Sequence, residues 1–224
     1  MFDSFIISDL PKRHCAVLRK PSSTRPTLWL VEEHGVRAVV KDYSTNRFLY
    51  RNTAGRFLVW REAKALRRLN GIRGVPTLFR VLGGLALIME EIPGKNLEEI
   101  QSQGRVTKVF FDDMADLVDS VHKRGIAHCD LKRAPNTLIT SEGTPCIVDW
   151  GAAICKSEFR FFPLTLIYRR FLLDDYMAIV KLKLKYCSEA VSTAELACYN
   201  HRSRMETLVR RIRDRLRALL QRLV

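Results

Sequence analysis

The run His128-Cys129-Asp130-Leu131-Lys132-Arg133-Ala134-Pro135-Asn136-Thr137-Leu138-Ile139, followed by Ile147-Val148-Asp149-Trp150-Gly151, constrains this chain more than any other. An Asp, a Lys two residues later, an Asn and a second Asp beside a Gly are framed by short apolar runs that read as strands. Carboxylate and amide oxygens suit a hard cation such as Mg²⁺. A carboxylate close to an ammonium suits phosphoryl transfer, a reaction that relies on positioning and charge compensation more than on covalent help.

The rest of the sequence must supply a core around those loops. The chain has 224 residues, 47% hydrophobic and 28% charged, enough for one large domain or two packed lobes. Its formal net charge of +14 favours polyanionic partners, or reflects arginines solvated on helix faces. Charge alone supports a purely nucleic-acid-binding role and no recognition motif accompanies it, so nucleic acid is not the partner expected. Cysteines 15, 129, 146, 155, 187 and 198 are scattered without a Cys-x-x-Cys pair, which argues against a zinc site and a disulfide framework. That pattern, with no signal-like N-terminus and no long uncharged apolar run, leads us to expect a cytoplasmic protein.

Taken in order, Thr27–Glu33 and Val36–Lys41 read as antiparallel strands turned at His34-Gly35. Phe48–Arg56 is rich in aromatics and arginine and either meets a substrate or starts the helix that follows. Phe57–Leu69 has helical periodicity. Leu78–Val81 and Leu85–Met89 read as strands turned at Gly83-Gly84. A short helix is expected over Leu97–Gln101. A longer one is expected from Val109 to His122, burying Phe110, Met114, Leu117, Val118 and Val121 and stopping at Gly125. Phe159–Leu173 mixes apolar residues with arginine, as a membrane-surface segment, the lining of an acceptor site or a buried connector would. A helix is expected to begin at Asp174-Asp175 and run to about Tyr186. Residues 202–224 read as a basic amphipathic helix that either docks on an anionic membrane surface or packs on the rest.

His-x-Asp-Leu-Lys, Asn-x-Leu-Ile and Asp-x-Gly, in this order, resemble the catalytic and metal loops of the protein-kinase-like superfamily. The resemblance implies an α+β, bilobal protein-kinase-like fold. A small antiparallel β lobe (residues 1–92) would bind nucleotide, and a mainly helical, truncated large lobe (residues 93–224) would carry catalysis. It implies ATP and Mg²⁺ as cofactors. Asp130 would be the base that orients a hydroxyl acceptor, or else a loop cap, and Lys132 would lie against the migrating phosphate, or be a surface lysine. Asn136 and Asp149 would hold the metal. Lys41 would hold the nucleotide phosphates, with Glu62 as its partner, unless Glu62 is an exposed helix residue. Val39 and Leu138 would sandwich the adenine, and the backbones of Glu90 and Ile92 would meet its edge, unless this stretch is a plain strand end. One residue of Asp174-Asp175 would hold the catalytic loop backbone from below.

The sequence departs from that pattern in four places. The region Leu18–Thr27, where a glycine-rich loop should cover the phosphates, contains no Gly. Asn136 follows Asp130 by six residues where five is usual, so a local bulge at Arg133-Ala134-Pro135 is expected. Cys129 stands where regulated kinases carry Arg, which removes the usual phosphate–Arg route to an ordered activation loop. Only 73 residues follow Gly151, and the Ala-Pro-Glu signature is missing. This compactness resembles RIO-type kinases and bacterial lipopolysaccharide-core sugar kinases. The expected activity is therefore transfer of the γ-phosphoryl group of ATP to a hydroxyl of a protein Ser/Thr or of a lipid-linked glycan. The alternative is a catalytically weak, kinase-like nucleotide-binding scaffold.

Overall fold

The structure is a computed structural model that describes residues 2–100 and 106–200; the amphipathic segment 202–224 lies outside the described residues. The architecture is α+β. Strands are β1 (His14–Arg19), β2 (Thr27–Glu33), β3 (Val36–Asp42), β4 (Leu78–Leu82), β5 (Ala86–Glu90), β6 (Lys95–Asn96), β7 (Ile126–Ala127), β8 (Thr137–Ile139), β9 (Pro145–Ile147) and β10 (Ile154–Cys155). Helices are α1 (Leu10–Arg13), α2 (Phe48–Tyr50), α3 (Arg56–Leu69), α4 (Leu97–Ile100), α5 (Lys108–Lys123), α6 (Leu164–Tyr186) and α7 (Thr193–Asn200).

Five strands form an antiparallel sheet in the order β1-β2-β3-β5-β4. The β2–β3 hairpin turns at His34 and Gly35, both with positive φ (53° and 75°), the twist a two-residue hairpin needs. Alternation along β3 then sorts its side chains. Ala38 and Val40 join an apolar layer with Phe2, Phe5, Leu10, Val31, Leu82, Ala86 and Ile88 on one face. Val39 and Lys41 point to the other face, toward α3. The N-terminal segment is fastened across the first face by Arg80, whose guanidinium donates to the carbonyls of Phe2, Asp3 and Phe5.

Phe48–Arg56 starts the helix: α2 passes through a π turn, Arg51–Gly55, directly into α3. Gly55 sits where an added Cβ would stand 3.2 Å from that of Tyr43, closer than ordinary contact. α3 buries Val59, Glu62, Ala63, Ala65, Leu66 and Leu69. α5 begins at Thr107, whose hydroxyl accepts from the Phe110 N–H, and ends at Gly125 with φ 74°. It buries the stripe expected of it, Phe110, Met114, Leu117, Val118 and Val121, together with Phe111. One apolar cluster joins α3 and β5 (Val59, Leu66, Leu87, Met89) to α5 and α6 (Phe110, Met114, Ile179, Leu182).

The segment after Phe159 differs from expectation. α6 starts at Leu164, a full ten residues before Asp174, immediately after Pro163 at its N-cap. Nor is the stretch a buried connector. Phe161 and Phe162 are 76% and 80% exposed, Leu166 and Ile167 are also exposed, and Tyr168 is its only fully buried side chain among residues 159–173. No helix among the described residues is long and apolar enough to cross a membrane.

Candidate active site

Three elements bring one ammonium and two carboxylates together. Lys41 stands near the end of β3, Glu62 on the inner face of α3, and Asp149 just beyond β9. Lys41 Nζ lies 2.7 Å from Glu62 Oε2 and 2.6 Å from Asp149 Oδ1. Lys41 and Glu62 are buried, at 6% and 1% exposure. Burial works against the lysine's charge, but Glu62 and then Asp149 outweigh it, and its pKa is raised. Burial also pushes Glu62 up, against the pull of Lys41. Lys41 holds the Asp149 pKa below the usual carboxylate range. The Asp149 side chain is 40% exposed, so the negative charge left over by a single lysine faces an open space. Asp149 adopts a left-handed backbone (φ 65°), which turns it into the short helical turn Trp150–Ala152.

α3 is fastened from the far side. Arg61 Nε donates to the Ala153 carbonyl at 3.2 Å, and Lys64 pairs with Glu158 at 2.7 Å. The stretch just after Asp149 therefore holds the helix that carries Glu62.

The loop between β7 and β8 holds Asp130. Asp175 of α6, 2% exposed, accepts from the His128 N–H at 2.7 Å and the Cys129 N–H at 2.9 Å, and meets His122 Nε2 at 3.1 Å. Cys129 sits at φ 66°, a backbone conformation costly for a residue with a Cβ and sustained here by those bonds. His128 joins this loop to the other. Its Nε2 donates to the Val148 carbonyl at 3.1 Å and its Nδ1 accepts from the Asp130 N–H at 3.3 Å. Both contacts fit a neutral imidazole, and burial lowers its pKa accordingly. The ring packs edge-on against buried Trp150, centroids 4.7 Å apart.

The extra residue before Asn136 is absorbed in a 3₁₀ turn, Ala134–Asn136. That turn lets Asn136 Nδ2 reach back to the Asp130 carbonyl at 3.0 Å, with the Asp130 carboxylate at 3.4 Å. The Asn136 amide oxygen has no hydrogen-bond partner among the described residues. The Val148 N–H bonds the Asn136 carbonyl at 2.9 Å, so the loops bearing Asp130 and Asp149 are tied twice. Asp130 also meets Arg133 at 3.4 Å, and Lys132 is exposed.

The remaining candidates lie around these groups without touching them in any recorded bond. Val39 shares a sheet face with Lys41 and is partly buried; Leu138, in β8, is half-buried on a separate sheet. The Glu90 N–H is already donated to the Thr77 carbonyl at 2.8 Å, whereas the N–H of Ile92 has no partner among the described residues. The segment between β1 and β2 is held by side chains that follow β3: Asn46 Nδ2 donates to the carbonyls of Ser22 and Arg25 (2.7 and 3.0 Å), and the Tyr50 hydroxyl to the Thr24 carbonyl (2.8 Å). A groove of about 850 Å³ among Arg73, Asp116, Lys123 and Glu142 includes none of the candidate residues. Charge placement, not volume, locates this site.

Part of the chain is similar to serine/threonine protein kinases. It is 42% identical over 67 residues to serine/threonine-protein kinase PknD of Chlamydia muridarum, covering 30% of this chain and 7% of that protein. It is 40% identical over 67 residues to PknD of Chlamydia trachomatis serovar L2b, with the same coverage. It is 31% identical over 109 residues to CBL-interacting protein kinase 12 of Oryza sativa subsp. japonica, covering 46% of this chain and 20% of that protein. The chain thus spans a fifth or less of the length of these relatives. No protein-family model matches it. The partial matches support a protein-kinase-like relationship over the matched part of the chain.

Proposed function

We propose that this protein is an ATP- and Mg²⁺-dependent kinase of bilobal architecture, with residues 1–92 as the nucleotide lobe and 93–224 as the catalytic lobe. It transfers the γ-phosphoryl group to a hydroxyl acceptor. The observation that carries this reading is Lys41 held between Glu62 and Asp149, with Asp130 tied to the same loops through His128 and Asn136. A fixed ammonium needs no reordering when phosphate arrives.

The residues present fit a magnesium nucleotide. Among the described residues no three His, Cys, Asp or Glu side chains form a protein-only metal cage. Mg²⁺ bound with a nucleotide needs few protein ligands, because phosphate and water oxygens complete its shell. The partly exposed Asp149 carboxylate and the amide oxygen of Asn136 are the two that would hold it, and the ion would offset charge on the phosphates. Lys41 binds and orients the phosphates. Asp130 orients the acceptor hydroxyl and takes its proton, and Lys132 offsets charge on the migrating group. Val39 and Leu138 bracket the base, and its edge meets the Ile92 N–H and the Glu90 carbonyl. With α3 fastened by Arg61 and Lys64, this arrangement is assembled without a phosphorylated activation segment.

Acceptors of two kinds fit a hydroxyl-directed site: a protein Ser/Thr, as the relatives' names imply, or a sugar of a lipid-linked glycan, as the RIO-type and lipopolysaccharide-core resemblance implies. Exposed Phe161, Phe162 and Ile167 beside Arg160, Arg169 and Arg170 favour peripheral attachment at the inner face of a membrane, with 202–224 contributing. The test is transfer of labelled phosphate from ATP to casein, myelin basic protein and purified lipopolysaccharide core. Wild type labels one of these, and Asp130→Asn labels it about 10²- to 10⁴-fold more slowly. Equal labelling by both proteins rejects the role given to Asp130. Nucleotide binding without any transfer favours the scaffold alternative, which the glycine-free Leu18–Thr27 region supports.

A further inference from the structure

Strand register places an arginine where the covering loop is poor in donors. Arg19, the last residue of β1, stands opposite Leu28 of β2 just past a register shift between Val17 and Arg19, and Leu28 stands opposite Lys41 of β3. Directly opposed residues in antiparallel strands share a face, so Arg19 and Lys41 point to the same side, two strands or about 10 Å apart. That is the side facing Glu62 and Asp149. Arg19 is half-buried, its Nε is fully buried with no hydrogen-bond partner, and its charge is among those acting on Asp149. A buried guanidinium N–H without an acceptor is costly, so a site that keeps one has a use for it.

The loop that follows explains the need. Pro21 and Pro26 have no N–H to offer. The Ser22 N–H is donated to the Arg25 carbonyl at 3.1 Å, and the Arg25 N–H to the Ser22 hydroxyl at 3.3 Å. Of residues 21–26, only Ser23 and Thr24 keep an N–H with no partner among the described residues, fewer than the run of donors that cradles phosphate elsewhere. A guanidinium presents five donors in a planar fork that matches phosphate oxygens.

We infer that Arg19 is a phosphate-binding residue, taking the polyphosphate tail of the nucleotide from above while Lys41 takes it from below. The inference rests on the nucleotide-binding reading of the site. It makes the site selective for nucleoside triphosphates over nucleosides through a side chain instead of a glycine-rich backbone.

The experiment titrates Mg·ATP and adenosine separately into wild type, Arg19→Met and Arg19→Lys, each checked for an unchanged thermal midpoint. Arg19→Met weakens ATP by about 10- to 100-fold and adenosine by less than about twofold, as loss of charged hydrogen bonds to phosphate predicts. Arg19→Lys retains the charge without the fork and falls between. If Arg19→Met fails to fold, the ATP-to-adenosine affinity ratio of Arg19→Lys decides, and a ratio equal to wild type overturns the inference. Equal losses for both ligands, or unchanged ATP affinity, overturn it while leaving nucleotide binding intact. Wild type that binds neither ligand overturns the nucleotide reading and this assignment together.

Discussion

Replacing Asp175 with Ala removes the carboxylate that holds the Asp130 loop. Two backbone donors, the N–H groups of His128 and Cys129, lose their acceptor, and His122 Nε2 loses a partner. Each buried donor left unsatisfied costs about 1–3 kcal/mol. Against this, Cys129 becomes free to leave φ 66°, which recovers about 1–2 kcal/mol. The expected net loss is about 3 kcal/mol for Asp175→Ala. Asp175→Asn keeps one acceptor oxygen and loses roughly half as much. Urea unfolding followed by tryptophan fluorescence measures both, because Trp150, one of three tryptophans, is buried against His128. Amide hydrogen exchange at His128 and Cys129 gives the local view: protection falls more there than in α5. Phosphate transfer falls with it, while ATP affinity holds, since Asp175 touches none of Lys41, Glu62 and Asp149. A loss under about 1 kcal/mol with both amides still protected refutes the reasoning.

Other perturbations test separate links. Glu62→Ala leaves buried Lys41 with Asp149 alone and costs about 3 kcal/mol in unfolding free energy, the lower end for a broken buried pair. His128 is neutral in the fold with a pKa below 6.5, so the unfolded chain takes up its proton first as pH falls. Stability therefore declines below about pH 6.5, by up to roughly 1.4 kcal/mol per pH unit until the folded pKa is reached, and His128→Gln flattens that decline in pH-dependent denaturation. Gly74→Ala puts a Cβ 2.8 Å from the Pro145 carbonyl at φ 90°, whereas Gly71→Ala has φ 82° and open space; thermal melts show the first clearly more destabilised than the second.

The parts legible in the sequence are those with a clear period. β2, β3, α3 and α5 were readable from alternation and from the three-four spacing of apolar residues, and Lys41 and Glu62 meet as the kinase-like resemblance implies. α6 was not legible before Asp174, because Leu164, Leu166, Ile167, Tyr168, Phe171, Leu172 and Leu173 spread apolar side chains around the helix instead of along one side; Pro163, at the N-cap, marks its start. The layer formed by Phe2, Phe5 and Leu10 was hidden for a similar reason: its anchors are held by Arg80, far along the chain. The part played by Arg19 depends on register across three strands, which no local pattern encodes.

The account depends most on Lys41 and Asp149 facing one polyphosphate. Calorimetric titration of ATP, with and without Mg²⁺, into wild type, Lys41→Met and Asp149→Ala tests this directly. The account predicts Mg²⁺-dependent binding to wild type, at least about tenfold weaker in each folded variant. Binding of equal strength in all three proteins, or binding indifferent to Mg²⁺, contradicts it.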